Sequence, residues 1–234
     1  MFSLVESLEL ILGWSIILFI ALHLYRKAEN LPSIWKVAIA IAVGLFSFSI
    51  NIPVAGELIS LPILPLGVWA LNFFLRKRER SWERYRPFAW LGFGANFVFL
   101  ILALLAIPLQ NLIYPEDRLT TYVSDTENAS LIVLHPSADD SAALDKKILL
   151  EQLEISNQQA VQSEEWYYDT VMDHEMEDRN ERFPYQLAEV SAKWGSGFSP
   201  LVFIEEDGQG IVVMKEAEQK YFRLEHSILQ RGES

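Results

Sequence analysis

Three clusters in this chain carry side chains able to do chemistry. His135 is followed by Asp139 and Asp140, and an imidazole beside a carboxylate can serve as an acid–base pair. His174-Glu175-Met176-Glu177-Asp178 gathers one imidazole and three carboxylates, adequate ligands for a divalent cation. Asn128-Ala129-Ser130 is a glycosylation sequon, relevant only in a eukaryotic secretory pathway. Each has a plainer reading. A histidine at a strand end more often makes a structural hydrogen bond, and acidic loops without ordered ligand spacing are usually just solvated. The expectation is therefore no catalytic residue, no metal and no cofactor. The chain has no cysteine, which excludes disulfides, thiolate catalysis and Cys-ligated metals. It also lacks a Gly-rich phosphate loop, His-Glu-x-x-His and Gly-x-Ser-x-Gly.

Charge divides the chain in two. Residues 1–113 hold 9 Lys/Arg and 6 Asp/Glu, a net of +3; residues 114–234 hold 10 and 25, a net of −15; together they give the −12 of the whole chain. The break at Tyr114-Pro115-Glu116-Asp117 marks the expected boundary between a membrane domain, 1–113, and an acidic outer domain, 114–234. So acidic a domain would repel phosphates, so a nucleic-acid partner is excluded. An outer domain without cysteines suits a bacterial protein.

Four apolar runs, roughly 8–25, 35–52, 58–75 and 88–113, fill the first half. Each approaches the ~20 residues a helix needs to cross ~30 Å of hydrocarbon, so the expected architecture is a four-helix transmembrane bundle with the lipid bilayer as partner. The first run lacks a basic n-region and a small-residue cleavage site, and it reads as a retained helix. All nine basic residues of this half lie in 26–36 and 76–86. The positive-inside rule makes those loops cytoplasmic. A multi-pass cell-membrane protein follows, with both termini and the 51–57 turn extracytoplasmic.

The deep polar residues of the runs are neutral: Ser47, Ser49, Asn72 and Asn96. Gly92, Gly94 and Asn96 suit close helix packing with one amide as glue. Pro62 and Pro65 predict a bend in the third helix.

In the outer half, Leu119–Ser124 reads as a short lead-in strand. Leu131-Ile132-Val133-Leu134 reads as a buried central strand. Asp139, Asp140 and Ser141 offer capping chemistry to a helix over 141–157. Glu165–Met172 is aromatic and β-branched, a second strand. After Pro184, the spacing of Leu187, Val190 and Trp194 predicts a short helix ended by Gly195-Ser196-Gly197. Leu201–Ile204, the Asp207-Gly208-Gln209-Gly210 turn and Ile211–Met214 form the clearest hairpin. A last helix is expected over 216–230.

From Leu187 to Met214 the order is a helix ending in Lys193-Trp194-Gly195, then Gly197-Phe198-Ser199-Pro200, a strand, a Gly-containing turn and another strand. Together with the preceding elements this resembles the thioredoxin-like fold, over about 129–230. The resemblance implies an α/β domain with a mixed sheet and flanking helices. It also implies a cis bond at Pro200, beside the place where that family does its chemistry. Redox members carry Cys-x-x-Cys after the first core strand. Here that stretch is His135-Pro136-Ser137-Ala138-Asp139-Asp140-Ser141, so the resemblance implies a redox-dead member.

The expected function is a membrane-anchored, non-enzymatic accessory or regulatory protein. Its outer domain would bind another protein around Ser199, Pro200, His135 and Asp139. One alternative is an ion- or small-molecule-handling bundle, which needs a polar cavity reaching Asn72 and Asn96. Another is a hydrolase using His135 and Asp139, which needs a closed cleft joining them.

Overall fold

The computed structural model describes residues 3–28, 31–54, 57–77, 81–161, 181–215 and 218–230. The chain divides into two compact units, Leu4–Gln110 and Asn111–Ser234.

The first unit holds α1 (Leu4–Lys27), α2 (Ile34–Gly44), β1 (Phe48–Val54), β2 (Glu57–Leu64), α3 (Leu66–Leu75) and most of α4 (Ser81–Ile113). Among the described residues, only α1 and α4, at 24 and 33 residues, are long and apolar enough to cross a membrane. The two middle apolar runs are not full helices. With 11 and 10 residues, α2 and α3 reach about half of a ~30 Å core at ~1.5 Å per residue. Each gives way to a strand of an antiparallel hairpin, β1 against β2. The sequence explains the change. Ile50, Ile52, Ile59 and Ile63 favour extended backbone, while Pro53 and Pro62 would each remove a helical hydrogen bond. Pro65 ends up as the N-cap of α3. The expected proline bend is therefore a strand-to-helix transition.

The hairpin register places Pro53 opposite Leu58 and Pro62 opposite Ser49. A proline has no N–H to give a ladder, so both stand where the backbone nitrogen points away from the partner strand. Side chains alternate, so Phe48, Ile50, Ile52 and Val54 share one face with Ile59 and Leu61. Ser49, Asn51 and Ser60 occupy the other, with Pro53, Leu58 and Pro62, and there Ser60 Oγ donates to Asn51 Oδ1 at 2.7 Å.

Backbones of this unit approach closely at glycines. At Gly92, an added Cβ would overlap the Ile41 carbonyl oxygen and stand 2.9 Å from Gly44 Cα. At Gly44, it would overlap the Ala89 carbonyl oxygen. Helices α2 and α4 thus touch main chain to main chain. At Gly13, the Phe99 ring fills the space a side chain would take, and Trp14 meets the same ring edge-on at 5.7 Å, joining α1 to α4.

The second unit is built on a sheet with six strands among the described residues. Its order is β3 (Ser130–Val133), β6 (Tyr185–Ala188), β7 (Leu201–Ile204), β8 (Gly210–Lys215), β9 (Glu218–Arg223), β5 (Asn157–Gln159). Every pairing is antiparallel. A smaller pair joins β4 (Ala143–Leu144) to β10 (Leu229–Gln230). One sheet face carries Tyr185, Leu187, Val202, Ile204, Ile211, Val213 and Phe222 into a core. There they meet Leu119 and Tyr122 of α5 (Leu119–Tyr122), Val123 just after it, and Leu149 and Leu153 of α6 (Lys146–Ile155).

An α/β unit is present, but several expected elements differ. Among the described residues the sheet is antiparallel, not mixed. Among the described residues Leu131–Val133 lies at its edge, not its centre, and Ile132, Val133 and the following Leu134 are exposed. A short apolar run cannot by itself tell a central strand from an edge. Leu119–Tyr122 is a single helical turn, not a strand. The segment after Pro184 is a strand, because Tyr185 and Leu187 alternate into the core. Positive φ at Glu189 then turns the chain. The last segment is β9, a turn and β10, because Tyr221 and Phe222 pair with Val212 and Ile211. Helix α6 is shorter than expected and starts at Lys146. Its cap is Asp145, whose Oδ1 accepts from the Lys147 and Ile148 N–H groups at 3.0 Å. No cis peptide bond occurs among the described residues, so Pro200 is trans. The elements that carried the thioredoxin-like resemblance are thus built differently. The strand expected at Glu165–Met172 lies outside the described residues.

Candidate functional site

The first candidate stretch, 135–141, folds into a self-bonded turn. Ser137 N–H donates to His135 Nδ1 at 3.2 Å, and Ser137 Oγ sits 2.8 Å from the same nitrogen. Ser137 Oγ also accepts from Glu181 N–H at 3.0 Å, and the Ser137 N–H bond makes Nδ1 the acceptor nitrogen of the neutral ring. That leaves Nε2 as the protonated ring nitrogen. Asp139 Oδ1 accepts from Ser141 N–H at 2.9 Å and Ser141 Oγ at 2.6 Å, a side-chain turn of the Asx kind. The Asp139 N–H is bonded to Tyr185 Oη at 2.8 Å, which ties the turn to β6. The polar groups of His135 and Asp139 described here serve local architecture.

Ser199 is exposed and Pro200 half-buried, just ahead of β7. The Phe198 ring stacks on Tyr122 at 5.5 Å, with Lys215 Nζ 4.4 Å above its centroid.

In the first unit, Gly92 makes the α2–α4 contact described above. One turn on, Asn96 Nδ2 donates to the Leu45 carbonyl and to that of Phe93, both at 3.1 Å. Leu45 follows the last residue of α2, so the amide satisfies a carbonyl that the helix end leaves without an intrahelical partner. Gly92 and Asn96 are brought together for packing.

The His174–Asp178 cluster lies outside the described residues. Among the described residues, no group of three or more His, Asp or Glu is placed to hold a metal ion.

Two carboxylate centres escaped the sequence reading. Glu205, nearly buried, takes Arg182 Nη2 on Oε1 at 2.7 Å, and on Oε2 both Arg223 Nη1 at 2.8 Å and Tyr221 Oη at 2.7 Å. Burial, then the bond to Glu205, pushes the Tyr221 hydroxyl pKa up. An added Cβ at Gly210 would overlap Glu205 Oε2. The network ties the end of β7 to β9 and to the segment before β6. The available signal was an acid directly after an apolar strand, with Tyr and Arg at alternate positions of a later strand, β9, which lies two places away in the sheet. Glu116 binds Lys215 at 2.8 Å and also Lys220. Burial would raise its pKa, but the hydrogen bonds and charges of the two lysines outweigh it and hold Glu116 below the ordinary carboxylate value.

Both edges of the sheet are unpaired among the described residues, and they differ in character. Strand β3 pairs only with β6 there, and its Ile132 and Val133, with the following Leu134, are 44%, 40% and 49% exposed. The opposite edge, β5, is Asn157-Gln158-Gln159. An apolar unpaired edge is a template for another strand, and a polar one much less so.

No known protein family, curated protein or solved structure matches this chain.

Proposed function

We propose that the chain is a multi-pass membrane protein, non-enzymatic, whose acidic second unit stands outside the cytoplasm and binds another protein as an accessory or regulatory subunit. The membrane reading is supported by the apolar side chains that α1 and α4 turn outward, among them Phe19, Leu18, Ile101 and Leu105. Outside lipid such a surface would aggregate. The nine basic residues confined to 26–36 and 76–86 support the orientation.

The β3 edge carries the binding reading. An extended segment of a partner could add to it by main-chain hydrogen bonds, with Ile132 and Val133 offering apolar contact. A photo-crosslinking amino acid placed at Ile132, in the full chain in its own membrane, should give one discrete adduct. The same group at Gln158 on the polar edge should give none. No adduct at Ile132, or equal adducts from both edges, would remove this edge as the binding surface.

A further inference from the structure

At the start of the second unit, a tight turn is fastened to the end of α4. Lys193 Nζ donates to the Ile113 carbonyl, the last residue of that helix, at 3.1 Å. The same ammonium lies 5.6 Å from the Tyr114 ring centroid. Tyr114 Oη in turn donates to the Trp194 carbonyl at 3.1 Å. Lys193 N–H bonds to the Thr121 carbonyl at 3.0 Å, and Ser196 N–H to the Lys193 carbonyl at 3.0 Å. Gly195 and Gly197 both take φ of 78°, a conformation that side chains disfavour, and between them Ser196 is buried. Trp194 is 82% exposed, the most exposed large apolar residue described.

An indole left in water on a rigid turn sacrifices burial that most tryptophans obtain. Its position suggests what covers it. The turn is bonded to the last residue of a helix long and apolar enough to span a bilayer, and Leu112 in that last turn is itself 79% exposed. Tryptophan favours the headgroup layer, where the ring meets apolar chains and its N–H meets polar groups. Lysine beside it suits a phosphate-bearing surface. We infer that Trp194, presented by the 193–197 turn, anchors the second unit to the lipid headgroup layer at the exit of α4. This rests on the membrane reading above.

The cysteine-free chain allows single-site labelling. Trp194→Cys, Leu105→Cys and Glu154→Cys would each carry an environment-sensitive fluorophore, in the full chain reconstituted into phosphatidylcholine–phosphatidylglycerol vesicles. Leu105 reports the spanning helix and Glu154, exposed on α6, reports water. The label at 194 should be quenched by a nitroxide attached to the lipid headgroup and shielded from aqueous iodide, unlike the label at 154. A probe-free check uses the difference between the native protein and Trp194→Phe, whose missing emission should be the part quenched by headgroup-level bromolipid. If 105 is lipid-quenched while 194 responds to iodide like 154, the anchor is overturned and the membrane reading stands. If 105 also responds to iodide, the membrane reading falls and takes the anchor with it.

Discussion

Glu205 and Gly210 share one volume: the carboxylate of the first occupies the space where a side chain on the second would begin. Gly210→Ala must displace Glu205 from Arg182, Arg223 and Tyr221, or push the strands apart. Overpacking of this kind costs about 1–3 kcal/mol. Glu205→Ala should cost about 2–3 kcal/mol, less than the ~3–5 kcal/mol of a fully buried pair because both arginines reach water. The two losses should not add. With alanine at 205 the overlaps with the carboxylate disappear and only that residue's own Cβ, 2.8 Å from the new methyl, still presses on it, so the double variant should be more stable than the sum predicts. Thermal unfolding of the four proteins in detergent measures the coupling; strict additivity would mean the two residues do not compete.

Gly92 and Gly94 lie on one helix but differ in surroundings. Gly92 touches the α2 backbone, whereas a Cβ at Gly94 would meet nothing within 4 Å. Gly92→Leu should therefore separate α2 from α4, break the Asn96–Leu45 bond and lower the detergent melting temperature markedly. Gly94→Ala should be neutral or slightly stabilising, since alanine exceeds glycine in helix propensity by ~1 kcal/mol. Equal effects at both positions would contradict the crossing.

Acid should weaken the second unit through Glu116. Its folded pKa lies below the ordinary value of 4.5. The group therefore adds stability that is complete above the unfolded pKa and is lost as pH falls through the folded one. Asp145 acts in the same direction, held low first by the Ile148 N–H and then by the Gln230 amide. Melting temperature should fall as pH drops below the ordinary carboxylate range, and Glu116→Gln should flatten the curve there. A variant with the native acid profile would exclude Glu116 as a source of the dependence.

Orientation can be read by thiol labelling. Ser81→Cys, beside the basic loop, should resist an impermeant maleimide in intact cells and react after lysis. Ser199→Cys should react in intact cells. The reverse pattern would invert the topology.

The sequence made some of this legible for identifiable reasons. The β7–β8 hairpin was plain because two apolar runs flank Asp207-Gly208, and Gly208 does take φ of 73° at that turn. The outer helices α1 and α4 were plain from length and hydropathy. The middle of the first unit was not. A run such as 35–52 is apolar at every period, so neither 3.6 nor 2 stands out, and only the isoleucines and prolines hinted at strands. After Pro184, spacing at i, i+3, i+7 selected Leu187 and Trp194 for one helix face. The chain instead buries the first on a strand and leaves the second in the open. The Glu205 network was hidden because its members come from 182, 205, 221 and 223, which only sheet pairing brings together.

The outward nitrogens of Pro53 and Pro62 fix how β1 meets β2. Sliding either strand by one residue would turn a proline toward its partner, where the ladder needs a donor that proline cannot provide, and would exchange one strand's two faces. The alignment is thus recorded in the strands themselves. The connecting tip is left without that duty, and residues inserted between Val54 and Glu57 should lengthen the hairpin's end without changing which side chains stand opposite one another.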